Sequence, residues 1–433
     1  MSIGSVAQPT VQSEGGQPAK PGLREGAFGY ATGLACRECG HQIELGPHYA
    51  CPECFGPLEI AYDFPAVTRE QIEAGPANIW RYKALLPVPS DIEQSPNMEP
   101  GFTRLLKAHN LGAALGIDNL WVKDDSTNPT NSFKDRVVAC ALSAAREFNS
   151  KVFACPSTGN LANAVAAAGA RAGIKTVVFI PANLEQPKQV NSAIFTDALV
   201  AVNGNYDDVN RLASEIAGEE EGWAFVNVNV RPYYAEGSKT LGYEIAEQLG
   251  WRLPDQIVIP VASGSQLTKV HKAFQELIKL GLVEEKPYRV FGAQATGCSP
   301  VSVAFKAGVD AIRPVKPDTI AKSLAIGNPA DGIYVLDICR ETGGAVEDIT
   351  DDEVRDGIVL LARTEGIFTE TAGGTTVGVL KKLVDTGQLD TSLETVVINT
   401  GHGLKTLDAI SDQVGARATI EPSYAAFHAT GIA

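Results

Sequence analysis

The chain is short of positive charge. It carries 36 Lys and Arg against 51 Asp and Glu, a net charge of −15 at neutral pH. Nucleic acids and anionic membranes attract clustered positive charge, so neither partner fits this background. A small anionic substrate would need a local basic pocket set against it. Long apolar runs are also missing. No stretch approaches the ~20 consecutive apolar residues of a membrane-spanning helix. The N-terminus lacks the charged, apolar and small-residue order of a secretory signal. Its few arginines and several glycines read against a cleaved targeting segment. Cysteine is sparse, with eight residues in 433, and four of these fall in two C-x-x-C pairs. That usage suits a reducing, cytoplasmic setting better than a disulfide framework. No internal repeat is visible.

What is present is the composition of an ordinary globular protein. The chain is 44% hydrophobic and 20% charged, and long enough for two to three domains. Residues 1–28 are rich in Gly, Ser, Pro and Gln and read as a flexible tail. Residues 29–62 hold the C-x-x-C pairs and several aromatics, which suggests a small zinc-ribbon-like module. Residues 63–433 form the remaining body, opened by a Pro-rich arm up to about residue 100 that contains Trp80-Arg81-Tyr82. Beyond the arm, short apolar runs predict strands at Leu120–Val122, Val152–Ala154, Thr176–Ile180, Ile257–Ile259, Val290–Ala293 and Val396–Ile398. Helical patterns lie between them at Asn160–Arg171, Tyr206–Ala217, Ser265–Leu280 and Thr376–Val384. Alternating strands and helices predict an α/β fold with doubly wound parallel sheets. Ligands in such folds bind beyond the C-terminal ends of the strands.

Four segments carry chemistry. Lys134, in Ser132-Phe133-Lys134-Asp135-Arg136, follows a turn-prone stretch and precedes an Ala/Val-rich helix pattern. A lysine at such an entry can form a Schiff base with an aldehyde cofactor. A lone lysine would default to a solvated side chain, but a cation is disfavoured in the first turn of a helix. Ser157-Thr158-Gly159-Asn160 opens a helix directly after a strand. Its backbone N–H groups and hydroxyls suit an anion, although alone it reads equally as helix capping. Ala262-Ser263-Gly264-Ser265-Gln266 is a small-residue turn between a strand and a helix, the form of a phosphate cradle. Thr400, in Asn399-Thr400-Gly401-His402-Gly403-Leu404-Lys405, offers a hydroxyl at another strand end. His402 beside it reads more readily as a local hydrogen-bonding residue than as a catalytic acid or base.

Together these segments resemble fold-type II pyridoxal 5′-phosphate (PLP) enzymes of the tryptophan synthase beta-like superfamily. Within that group, "SFKDR", "STGN", "GARAG", "IGNPADG", "TEGIFTETAGGTT" and "TGHGLK" resemble the threonine synthase family from about Thr103 to Asp408. The resemblance implies a carbon–oxygen lyase that converts O-phospho-L-homoserine and water to L-threonine and phosphate, the last step of threonine biosynthesis. It implies Lys134 as the PLP lysine and Asn160 at the cofactor's 3′-oxygen. Residues 262–266 would hold its phosphate, and Thr400 would face the pyridine nitrogen. Ser157, Thr158 and Gly159 would hold the substrate carboxylate. Arg171, and after it Lys322, are the cations expected at the substrate's phosphate. A smaller subdomain inserted over about 135–235 and a homodimer are implied as well. Two departures stand out. Leu161-Ala162 follow Asn160 where many family members have small hydroxyl residues, and the 262–266 loop is poorer in Gly and Asn than usual.

Cys36-x-x-Cys39 and Cys51-x-x-Cys54, eleven residues apart, fit a closed four-thiolate zinc site of structural role. The spacer is shorter than usual for paired knuckles, and His41 and His48 are spare candidate ligands. Two other functions stay open at this point. One is a different PLP enzyme of the same fold: a threonine/serine dehydratase, or a cysteate-synthase-like enzyme that replaces the phosphate of phosphoserine. The other is a non-catalytic partner protein with a zinc ribbon, against which the intact Lys134, Asn160 and Thr400 count.

Overall fold

In a computed structural model of the chain, the structure describes residues 23–432 except 185, 197 and 205. Of the expected tail, residues 1–22 lie outside the described residues. Ala27 and Phe28, also expected in the tail, are instead buried. Phe28 packs its ring 5.1 Å from that of Phe148 and 5.0 Å from that of Tyr233. An aromatic side chain that can reach a core is held there by the area it removes from water.

The strands β1 (Ala31–Cys36), β2 (Gln42–Ile43) and β3 (Leu58–Tyr62) form a small antiparallel sheet in the order β2-β1-β3. β4 (Arg104–Lys107) and β5 (Leu120–Asp124) begin a larger sheet. The chain then leaves it to build a second one from β6 (Val152–Pro156), β7 (Lys175–Pro181), β8 (Leu199–Val202) and β9 (Trp223–Phe225), ordered β8-β7-β6-β9 and parallel throughout. It returns with β10 (Gln256–Pro260), β11 (Arg289–Ala295), β12 (Ala345–Ile349) and β13 (Thr395–Asn399). The large sheet has the order β12-β11-β10-β13-β5-β4, and only β4 runs antiparallel. β6, β10 and β13 are buried along their whole length, as strands covered on both faces must be.

All six predicted strand runs fall inside observed strands. β1 to β4, β8, β9 and β12 were not foreseen. β8 (LVAV) and β9 (WAF) are apolar but only four and three residues long, and β8 is partly exposed, so neither stands out as a buried run. The helix expected from Thr376 begins at Thr371. Its first turn, Thr371-Ala372-Gly373-Gly374-Thr375, is buried without any apolar periodicity. Glycine serves close packing there. A Cβ on Gly374 would lie 2.7 Å from the Val354 carbonyl of the neighbouring helix Asp351–Glu365.

A buried ionic cluster ties the layers together. Arg136 Nε reaches Asp125 at 2.7 Å and Lys123 Nζ reaches Glu244 at 2.7 Å. Arg136 also grips Glu244 with both terminal nitrogens. All four side chains are fully buried. Burial works against the Glu244 carboxylate, but Arg136 and Lys123 outweigh it and hold its pKa down to about 2. Because Arg136 lies two residues after Lys134, this cluster fixes the start of the Lys134 helix against β5.

Candidate active site

Four strand ends converge on one cavity. Beyond β5, the chain runs through Asn128–Asn131 into the helix Lys134–Glu147, of which Lys134 is the first residue. Beyond β6, it enters the helix Asn160–Ala172. β10 leads through Ala262–Gly264 into the helix Ser265–Lys279, and β13 leads to Thr400. The cavity is lined by Lys134, Asn160, Ala262 to Gln266, Tyr234, Glu370 and Thr400, with Ser132, Ser323 and Leu324 among the others.

Backbone hydrogen bonds lock the segments to one another. Phe133 N–H donates to the Thr400 carbonyl at 2.8 Å, and His402 N–H donates to that of Asn131 at 3.0 Å. Glu370 N–H donates to the Gly401 carbonyl at 3.0 Å. Lys134 Nζ lies 3.1 Å from the Tyr234 hydroxyl. Glu370 bridges the opposite wall. Its carboxylate accepts from Asn160 Nδ2 at 2.7 Å and from the Thr400 hydroxyl at 2.9 Å. Burial pushes the Glu370 carboxyl up, against the pull of those two donors and of Lys405 and Lys134 nearby. Burial in turn pushes the Lys405 ammonium down, against Glu370 and Asp135. Asp135 is pushed up to about 6, chiefly by burial, although Thr130 donates to it through its N–H at 2.7 Å and its hydroxyl at 2.6 Å.

The donor set fits PLP. The helix Ser265–Lys279 starts at Gly264, which has no side chain to cap it; the Ser265 N–H meets the Ser263 hydroxyl only at 3.5 Å, and this helix start lines the cavity as an anion site. Gly264 has φ +96°, a left-handed conformation that suits glycine. Two polar atoms of the lining, Ser132 Oγ and Gln266 Nε2, are buried without a partner. Buried donors left single are costly, and a bound polar group would satisfy them. The cavity thus offers an amine, an amide, a hydroxyl and a phosphate cradle on separate walls.

Of the expected carboxylate loop, Asn160 lines the cavity; Ser157, Thr158 and Gly159, which precede it in the chain, are not in the lining. Arg171 requires a correction. It is exposed and sits in the last turn of the helix whose first residue is Asn160. Eleven residues at ~1.5 Å each put it roughly 16 Å along the helix from the cavity end, too far to meet a substrate phosphate there. Lys322 is exposed, and its neighbours Ser323 and Leu324 line the cavity. His402 accepts from Leu404 N–H at 3.2 Å and packs edge-on to Phe368, a local role outside the lining. Sequence reasoning gave no role to Tyr234, Glu370 or Lys405. Glu370 and Lys405 stand inside two of the family-like segments, so position was their only signal. Tyr234 stands 100 residues from Lys134 and had none.

Cys36, Cys39, Cys51 and Cys54 form a second centre, with all four sulfurs within 4.8 Å of one another. Sulfur pairs lie at 3.4 Å (Cys36–Cys54), 3.4 Å (Cys39–Cys54) and 3.7 Å (Cys39–Cys51). Four thiolates at ~2.3 Å from one tetrahedral zinc would stand roughly 3.8 Å apart, so the group fits the ion with small adjustment. Gly56 makes room for it, since a Cβ there would lie 2.9 Å from Cys36 Sγ. His41 and His48 are not part of the group.

The family model for a pyridoxal-phosphate dependent enzyme matches residues 97–401. The chain is 37% identical over 385 residues to a threonine synthase of Methanosarcina acetivorans, covering 88% of this chain and 93% of the relative. It is 36% identical over 380 residues to a threonine synthase of Methanocaldococcus jannaschii, covering 86% and 93%. Among solved structures, threonine deaminase isoform 2 from Solanum lycopersicum superposes with a TM-score of 0.61 at 19% identity, covering 82% of this chain and 99% of that one. Maize serine racemase superposes with a TM-score of 0.59 at 21% identity, covering 78% and 94%. At those identities the structural likeness speaks for the fold alone, a fold-type II α/β architecture. The sequence relatives go further: the chain belongs to the threonine synthase family of pyridoxal-phosphate-dependent enzymes.

Proposed function

We propose that the protein carries out the reaction of its family, converting O-phospho-L-homoserine and water to L-threonine and inorganic phosphate. The observation that carries this reading is the meeting of Lys134, Asn160, residues 262–266 and Thr400 around one cavity. When bound, PLP supplies an electron sink for negative charge at the substrate's Cα. Lys134 would hold the cofactor's aldehyde carbon, and its freed amine would then move protons at the substrate's Cα and Cβ. The Tyr234 hydroxyl, 3.1 Å from Nζ, orients that amine. The first N–H groups of the helix Ser265–Lys279 would hold the cofactor phosphate. Asn160 would take the 3′-oxygen and Thr400 the ring nitrogen. A hydroxyl cannot hold that nitrogen strongly protonated, which suits elimination and replacement at Cβ or Cγ. Ser157, Thr158 and Gly159 remain the proposed carboxylate loop, and Lys322 the proposed cation for the substrate's phosphate.

The test is phosphate release from O-phospho-L-homoserine, with the amino-acid product identified, for wild type and Lys134→Ala. Wild type is expected to yield phosphate and threonine in equal amounts, and the variant neither. A PLP-loaded wild type that turns over phosphoserine or threonine but not phosphohomoserine would reject the substrate assignment.

The same reading covers the rest of the molecule. It divides the chain into a module over 29–62 and a catalytic body over 63–433, with an inserted subdomain near 135–235. The three separate sheets support that division. Structural zinc on the four cysteines, a homodimer and a cytoplasmic setting complete it. Metal analysis and light scattering on the purified protein test the first two.

A further inference from the structure

We infer that Arg37, in the turn between Cys36 and Cys39, is a positioning residue for the cofactor's phosphate loop and acts on it through Asp331. This inference rests on the PLP reading above. Arg37 Nη1 lies 3.6 Å from Asp331 and 3.3 Å from Glu59. Its guanidinium carbon sits 3.4 Å from the ring centroid of Tyr334, whose hydroxyl donates to Glu38. The turn is therefore docked on the start of the helix Gly332–Glu341 by stacking, charge and a hydrogen bond together.

Asp331 sits directly behind the phosphate loop. Its N–H donates to the Ser263 carbonyl at 2.8 Å. A Cβ on Gly264 would lie 3.0 Å from the Asp331 carbonyl carbon and 2.8 Å from Val335. The Asp331 side chain is 7% exposed and is held on its other oxygen by Arg231 at 2.7 Å. A second route runs through Glu59. It pairs with Lys269 at 3.1 Å and Lys272 at 3.2 Å, both on the helix whose N-terminus forms the cradle. The cysteine module thus touches both the loop and the helix that follows it.

The electrostatics give the coupling its sign. Asp331 is a nearly buried anion behind a loop built to receive another anion, and the two repel in a medium of low dielectric. Arg231 and Arg37 offset it. Without Arg37, the Asp331 charge is less compensated and the phosphate site becomes less attractive. The backbone bond from Asp331 to Ser263 does not depend on the side-chain charge, so removing that charge should undo the loss.

The test is the PLP dissociation constant of the full-length protein, measured by equilibrium dialysis for wild type, R37Q, D331N and the double variant R37Q/D331N. Wild type is expected to bind; if it does not, the cofactor reading itself fails. R37Q is expected to bind roughly tenfold more weakly, a size within the usual range of coupling between sites. The double variant is expected to recover most of that affinity. R37Q binding as wild type does, or a double variant no better than R37Q, would overturn the inference. Should R37Q not fold, D331N carries the test: it should bind PLP at least as tightly as wild type, and a clear loss would overturn the inference.

Discussion

Asp135 shows how the residue next to Lys134 is set by its surroundings. It is buried at a helix start, takes two hydrogen bonds from Thr130, and still titrates near 6. An unfolded aspartate titrates at ~3.9. Between those values the folded chain binds the extra proton, so stability is full below the lower value and declines as pH rises towards the higher one. The decline amounts to about 3 kcal/mol for a shift of about two units. Asparagine can keep both contacts, accepting from the Thr130 N–H and donating to its hydroxyl, without titrating. The stability advantage of Asp135→Asn over wild type should therefore grow between about pH 4 and pH 6 and stay level above. Urea unfolding at several pH values would show it, and a difference independent of pH would rule it out. The roles of this motif divided unevenly between sequence and structure. Lys134 was legible because a turn, a lysine and an Ala/Val-rich helix are adjacent in the chain. Tyr234 and Glu370 were not, because their chemistry exists only once residues 100 to 236 positions apart are brought together.

At the scale of elements, the Lys134 helix is anchored by charge as well as by apolar packing. Arg136 is fully buried between Asp125, at the end of β5, and Glu244, on the helix Lys239–Gln248. Replacing it by Met would leave two buried carboxylates facing Lys123 alone. A loss of about 3–5 kcal/mol is expected, the usual cost of leaving one side of a buried pair uncompensated. Chemical denaturation measures it, and a loss under about 1 kcal/mol, the size of a surface ion pair, would show that the cluster does not anchor the helix. The predicted strands succeeded for the same reason that these layers are stable: β6, β10 and β13 are continuous apolar runs buried on both faces. β4 escaped because its composition is mixed and its faces are partly wet, and β8 because its apolar run is only four residues long. The helix at Thr371 was read too short because glycine and threonine, not leucine, make its closest contacts. Gly264 is where the loop after β10 turns into the helix Ser265–Lys279. Gly264→Ala would strain a backbone at φ +96° and press on Val335 and Asp331. It should weaken PLP binding more than it lowers the melting temperature, and equal PLP affinity in the two proteins would contradict that.

At the scale of the molecule, three sheets meet two chemical centres among the described residues. The segment that carries the four cysteines is docked on the rest of the chain through Arg37, Glu38 and Glu59, so a metal bound there is expected to matter beyond its own fold. Purified protein should contain about one zinc per chain, the stoichiometry of a four-thiolate site. Cys39→Ser should lower that content together with the melting temperature, and metal analysis of both proteins checks it. The sequence made this centre plain, since two C-x-x-C pairs announce themselves, but not its docking, which depends on side chains such as Tyr334 and Asp331 some 300 residues away. The proposed function stands on Lys134 carrying the cofactor. The direct measurement is borohydride reduction of the purified PLP-loaded protein, followed by proteolysis and mass mapping of the labelled peptide. A single phosphopyridoxyl group on Lys134 is expected. A label on Lys405 or on another lysine, or none at all, would contradict it.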